Sequence, residues 1–78
     1  MPRLVLFGLA REAAGVAHDT VEGATLDAAL AAARDRYGAE FARVLETCRV
    51  WVNGDPAPPE AQLAPTDEVA VLPPVSGG

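Results

Sequence analysis

The two most apolar strand-forming runs of this chain lie near its opposite ends, at residues 4–9 and at Glu68–Leu72, with one clear helical pattern between them. A run that is apolar at consecutive positions belongs in the interior of a sheet, where it is covered on both faces, and not at an edge. Both runs therefore claim central places. The arrangement that satisfies both sets them side by side and parallel, joined by a crossover that contains the helix.

The helix is read from Leu26, Ala29, Leu30, Ala33 and Tyr37, which recur at helical spacing and predict a helix over Leu26–Tyr37. Thr25 is its N-cap, Asp27 lies in the first turn, Arg34 and Arg36 lie in the last, and Gly38 follows as a stop. Phe41, Val44 and Leu45 predict a second, short helical piece over residues 40–46. Residues 11–15 read as a loop closed by glycine, and residues 16–21 as a second strand of weak alternation. Arg49–Val52 is a strand leading into Asn53-Gly54, the dipeptide suited to a type I′ hairpin turn. Pro56, Pro58 and Pro59 cannot donate to a ladder, so the returning strand is short and at an edge or in a loop. Gln62 and Leu63 are expected to plug the core from a turn. This order predicts an α+β chain of the β-grasp, ubiquitin-like kind, a mixed sheet of four to five strands crossed by one main helix. The domain spans residues 1–72, and residues 73–78 form a flexible tail.

Composition removes several classes of function. Eleven acids stand against six arginines and no lysine, a net charge of −5, which disfavours nucleic acid because phosphate contacts need clustered cations. No apolar run approaches the ~20 residues that span a bilayer. A single cysteine, Cys48, excludes an internal disulfide and a Cys-rich metal site and fits the reducing cytoplasm. One histidine, His18, and that one thiol do not make a catalytic dyad, no glycine-rich phosphate loop is present, and no residues have metal-ligand spacing. Neither a metal nor a bound cofactor is expected, and His18 and Cys48 read as an ordinary surface residue and a partly buried thiol.

The segment with chemical content is Leu72-Pro73-Pro74-Val75-Ser76-Gly77-Gly78. Pro73 and Pro74 forbid an interior strand and hold the chain extended, so that the six residues from Pro73 reach roughly 20 Å at ~3.3 Å each. Two side-chain-free residues, Gly77 and Gly78, pass a narrow channel and leave the last carbonyl open to a nucleophile. A carboxylate reacts with sulfur nucleophiles only as a mixed anhydride such as an acyl-adenylate. The chain has no nucleotide site, so ATP is expected to be used by a separate activating enzyme.

These features resemble the MoaD/ThiS family of sulfur carriers. The likeness is carried by Leu4-Val5-Leu6-Phe7, Leu9-Ala10-Arg11-Glu12, Val21-Glu22-Gly23-Ala24-Thr25, Arg36-Tyr37-Gly38, Val52-Asn53-Gly54, and the final block from Asp67 to Gly78, its most specific part. Within the family the Pro-Pro-Val-Ser-Gly-Gly ending is most similar to the small subunits of molybdopterin synthase. The resemblance implies a non-catalytic subunit whose Gly78 carboxylate is adenylated by an E1-like enzyme and converted to a thiocarboxylate through a sulfurtransferase or cysteine desulfurase. The tail, Pro73, Pro74, Val75, Ser76 and Gly77, then inserts into the large subunit of molybdopterin synthase, which holds the catalytic groups, and sulfur passes to cyclic pyranopterin monophosphate. Carriers for thiamine thiazole or cysteine biosynthesis share the fold and ending and remain alternatives, as does an interaction module without sulfur chemistry. Thr66 where the family often has glycine, and the proline-rich residues 55–60, depart from the pattern and weaken the expected fourth strand.

Alternation over Arg49–Val52 puts Val50 and Val52 on one face and Trp51 on the other. If the valines face the helix, Trp51 joins Phe7, or its neighbour Leu6, and residues of Val69–Leu72, Leu72 above all, in an apolar patch beside the tail, the expected partner interface; the alternative packs Trp51 under the loop of Pro56, Pro58 and Pro59.

Overall fold

The computed structural model describes residues 1–74, and Val75, Ser76, Gly77 and Gly78 lie outside the described residues. The chain runs β1 (Arg3–Leu6), α1 (Gly8–Ala14), β2 (His18–Thr20), α2 (Leu26–Tyr37), α3 (Ala39–Leu45), β3 (Arg49–Val52), β4 (Asp55–Pro56) and β5 (Glu68–Leu72). One five-stranded sheet has the order β2-β1-β5-β3-β4. β1 and β5 are parallel neighbours and the other pairs are antiparallel. The two apolar runs meet, with β5 in the middle, and the architecture is the expected β-grasp.

Strand alternation decides where the core sits. Leu4, Leu6, Val69 and Val71 are at most 1% exposed and share one sheet face, against which the helices place Ala10, Leu26, Ala29, Ala33, Phe41 and Leu45. Phe41 is the largest fully buried side chain, and Tyr37 meets it edge to face with ring centroids 5.0 Å apart. Burying a side chain of this size stabilises by about 1.5–3 kcal/mol, so α3, with Phe41 and Leu45, is as much a part of the core as the longer α2.

The first run departs from its reading. β1 stops at Leu6, and residues 11–14 are helix and not loop, with Gly15 as its cap. Residues 9–14, Leu-Ala-Arg-Glu-Ala-Ala, are strong helix formers, and Gly15 closes the helix with its N–H on the Arg11 carbonyl at 2.9 Å. Helix formation lets α1 bury Ala10 against the core. The apolar continuity of residues 4–9 concealed this boundary. Nor is β1 covered on both faces: Val5 is half-buried and Phe7 is exposed.

The N-terminus of α2 shows why a proline-rich loop is tolerated. Thr25 Oγ1 accepts from the Ala28 N–H at 3.2 Å, while the N–H groups of Leu26 and Asp27 donate to the carbonyls of Ala61 and Pro59, both at 2.8 Å. Proline lacks a donor but keeps its acceptor, so the loop satisfies first-turn donors that a helix leaves open. Asn53 (φ 51°) and Gly54 (φ 86°) make the expected turn between β3 and β4. The Asn53 side chain also accepts from the Glu68 N–H and donates to Asp67, both at 2.9 Å, which ties the hairpin to the start of β5.

A polar strap closes the β2 edge. Tyr37 donates its hydroxyl to Asp19, Arg36 pairs with Asp19 at 3.0 Å and donates to the Thr20 carbonyl at 2.6 Å, and Asp19 accepts from the Thr20 N–H at 2.8 Å. Both backbone groups of Thr20 are thereby occupied, which blunts an edge that would otherwise pair with another strand. The Tyr37 hydroxyl, then the Thr20 N–H and Arg36, hold the Asp19 carboxyl below its ordinary range. A lowered folded-state value gives stability that is present above the unfolded value of about 3.9 and is lost as pH falls through the folded one. Asp19→Asn is accordingly expected to melt a few degrees below wild type at neutral pH, with the gap closing in acid. Thermal melts by circular dichroism across that range check this; an equal gap at both ends would remove the carboxylate's charge from the account.

Candidate functional site

The face of the sheet opposite the helices carries no helix among the described residues. Register places one transverse row across all five strands: His18 opposite Val5, Val5 opposite Ala70, Ala70 opposite Trp51, and Trp51 opposite Pro56. Val50 and Val52 stand opposite Val71 and Val69 on the covered face, so Trp51 points to the open one. Val5, Trp51, Ala70 and Leu72 are half-buried by their strand neighbours, and none of them packs against the core. Pro56 is the cross-strand neighbour of Trp51 on this face, so the ring lies beside the proline loop without leaving the open surface.

The next row leads to the root of the tail. Leu72 stands opposite Arg49, and Phe7, still extended at φ −126° and ψ 155°, follows Val5 on the same side with 43% of its surface exposed. Phe7, Trp51 and Leu72 are thus brought onto one face, with Val5, Ala70 and Pro56 completing a surface that sequence alone did not resolve. Leu6, the other candidate for this face, is 1% exposed and belongs to the core. Leu9, 62% exposed in the first turn of α1, was missed because residues 4–9 read as strand.

β5 delivers the chain from the centre of this surface to Pro73 and Pro74. The last rung beside it is the Phe7 N–H on the Val71 carbonyl, at 3.2 Å. Gly77 and Gly78, the residues on which the sequence reading placed the chemistry, fall outside the described part, as do Val75 and Ser76. What the structure supplies is their point of departure, from the central strand and next to exposed apolar side chains.

Among the described residues the remaining polar features are dispersed. An open groove of about 370 Å³ is lined by Arg3, Val5, His18, Asp19, Thr20 and Glu68. It lies at the opposite end of β1 and β5 from the tail, and Arg3 and Glu68 within its lining form an ion pair at 3.3 Å. Cys48 donates its thiol to the Val44 carbonyl at 3.3 Å, and burial pushes its pKa up, away from the reactive thiolate. His18 is exposed. Among the described residues no acidic, histidine and cysteine side chains cluster as a metal site would, and no helix is long and apolar enough to cross a membrane.

Comparison with known proteins gives a consistent result. The ThiS family matches residues 4–78. Among solved structures, small archaeal modifier protein 1 from Haloferax volcanii is 34% identical over 97% of both chains with a TM-score of 0.80. The protein of the same name from Methanosarcina acetivorans is 28% identical over 97% of this chain and 94% of that one, with a TM-score of 0.85. The BexX/CysO complex from Amycolatopsis orientalis contains a chain that is 21% identical over the whole of both, with a TM-score of 0.83, a likeness of fold alone. No curated protein sequence matches the chain.

Proposed function

The chain belongs to the ThiS family, and from that premise we propose that it is a sulfur carrier whose Gly78 carboxylate is the reacting group. The observation that carries this reading is the family match running through Gly77 and Gly78, on a chain whose central strand leads directly into Pro73 and Pro74. An E1-like enzyme joins the carboxylate to AMP, releasing pyrophosphate from ATP. The outer sulfur of a persulfide on a sulfurtransferase or cysteine desulfurase then attacks the adenylate, displacing AMP and forming an acyl disulfide, and a second thiol reduces that S–S bond, releasing the thiocarboxylate and leaving the two thiol sulfurs as a disulfide. The carrier needs no acid or base of its own, because adenylate and sulfur donor supply the activation. Its fold supplies a docking face and a defined root for the tail.

The Pro-Pro-Val-Ser-Gly-Gly ending favours the large subunit of molybdopterin synthase as the recipient and cyclic pyranopterin monophosphate as the sulfur acceptor, in the cytoplasm. Intact-mass spectrometry after incubation with ATP, an E1-like enzyme and a sulfur donor tests the carrier step. The expected product is heavier by the difference between sulfur and oxygen, localised to Gly78. An unchanged mass, with the same enzyme loading a known carrier, overturns the reading.

The likeness to small archaeal modifier protein 1 favours a second use of the same activated carboxylate, transfer to an amine of another protein. Tryptic peptides of other proteins that carry residues 50–78 of this chain joined through Gly78 to a lysine, in cells where no thiocarboxylate accumulates, distinguish it. This chain has no lysine and receives no such bond on a side-chain amine.

Docking is expected to run through the open face. Trp51 is its largest ring, flanked by Phe7 and Leu72, and a central aromatic anchor typically contributes 2 kcal/mol or more. Trp51→Ala should therefore weaken binding to the large subunit by about 2 kcal/mol, roughly thirtyfold in Kd, with an unchanged circular dichroism spectrum. Equal affinities in a calorimetric titration would take Trp51 out of the interface.

A further inference from the structure

The open face of the sheet differs in charge from the rest of the chain. Alternation and register put Arg3, Arg49 and Glu68 on it, whereas Asp19 and Asp55, the other acids within strands, stand opposite Leu4 and Val52 on the covered side. Of the eleven acids in a chain of net charge −5, these strands therefore show Glu68 alone on the open face, and Arg3 takes it at 3.3 Å. Arg49 is left over. It is exposed, and among the described residues its guanidinium has neither an ion pair nor a hydrogen bond.

The position of Arg49 couples it to the apolar contact. It stands directly opposite Leu72 and two residues before Trp51, and side chains opposite each other start about 4.5–5.5 Å apart at Cβ. A partner that covers Trp51 and Leu72 thus takes water from Arg49 as well. The guanidinium stays charged, and stripping its water without a counter-charge is unfavourable. The described residues of this chain supply no such counter-charge. Nor does the open face of a second copy, whose one carboxylate is already paired.

We propose that Arg49 is a specificity residue of the docking face, and that the partner it fits is a protein presenting a carboxylate beside the apolar surface that receives Trp51 and Leu72. The net charge of −5 by itself points to a basic partner, since net charge governs long-range encounter. At contact the local sign decides, and there the complementary group is acidic.

For its partner the inference rests on the sulfur-carrier reading, and the test separates the two. Carrier-dependent pyrophosphate exchange by an E1-like enzyme gives KM and kcat for each variant. Arg49→Met removes the charge and keeps most of the stem, and is expected to raise KM about tenfold with kcat within about twofold of wild type; Arg49→Glu should raise KM about a hundredfold. Arg34→Met removes the same charge from α2 and should leave KM within about twofold, which separates a contact from a change in net charge. Among substitutions of the enzyme's acids by lysine, one should restore Arg49→Glu while weakening the wild-type chain. A KM for Arg49→Met within about twofold of wild type, an equal rise for Arg34→Met, or the lack of any restoring substitution overturns the proposal. A wild-type chain that sediments as a dimer, with Arg49→Glu a monomer, gives the face to a second copy and also overturns it. Should Arg49→Glu fail to fold, the two methionine variants decide. If no E1-like enzyme loads the wild-type chain, the carrier reading fails and the proposal falls with it; loading that is indifferent to Arg49 sinks the proposal alone.

Discussion

Converting the Gly78 carboxylate to an amide, or deleting Gly78, is expected to abolish sulfur loading and to leave the melting temperature of the domain where it was. The two halves of this result have separate causes. An amide nitrogen does not attack the α-phosphate of ATP under these conditions, so no adenylate forms and the sulfur donor meets no activated carbonyl. Deletion keeps a carboxylate but draws it back by one residue, ~3.3 Å, far more than an active site tolerates. Stability is unaffected because the buried core ends with Val71 and the ladder of β5 with Leu72. Gly77→Val and Gly78→Val should reduce loading at least a hundredfold for a different reason, a branched side chain beside the reacting carbonyl. Loading is followed by intact mass and stability by thermal melts on the same samples. Thiocarboxylate formation on the amidated chain at the wild-type rate would sink the carrier mechanism.

Much of the frame was legible because it rests on periodicities that local chemistry enforces. The spacing of Leu26, Ala29, Leu30, Ala33 and Tyr37, with Thr25 before and Gly38 after, gave α2 its bounds, and Asn53-Gly54 gave the hairpin. The central pairing of β1 with β5 followed from two apolar runs needing cover. What sequence did not show were features set by tertiary contact. α1 begins inside an apolar run, at Gly8, where Leu6 still obeys strand alternation and Leu9 no longer does. The Asp19–Tyr37–Arg36 strap joins residues whose proximity depends on how α2 crosses β2. Of the open face, Phe7, Trp51 and Leu72 were legible from alternation, whereas Val5, Ala70 and Pro56 join them only through register.

Gly23→Ala is expected to be the most destabilising single-methyl addition in the domain. A Cβ built on Gly23 would lie 2.5 Å from the Ala29 nitrogen, 2.8 Å from the Ala29 Cα and 3.0 Å from the Ala28 carbonyl carbon, all backbone atoms of α2. No rotamer relieves such a contact. Either residues 21–24 or the start of α2 must move, and both are tied down. Val21 is fully buried, Ala29 is 1% exposed, and the helix start is held by Thr25 and by the bonds from Leu26 to Ala61 and from Asp27 to Pro59. Overpacking a core typically costs 1–3 kcal/mol, and with backbone on both sides the expected loss is about 3 kcal/mol or more, a fall in melting temperature above ten degrees for a domain of this size. Because the clash is with the nitrogen and α-carbon of Ala29 and not with its methyl, Ala29→Gly should fail to rescue it. Urea titration of the single and double variants measures both effects; a single variant within a few tenths of a kcal/mol of wild type would show that α2 slides away freely. At low temperature the folded fraction of Gly23→Ala should still accept sulfur, because neither the open face nor the tail is touched, the converse of the amidated chain that folds and does not load.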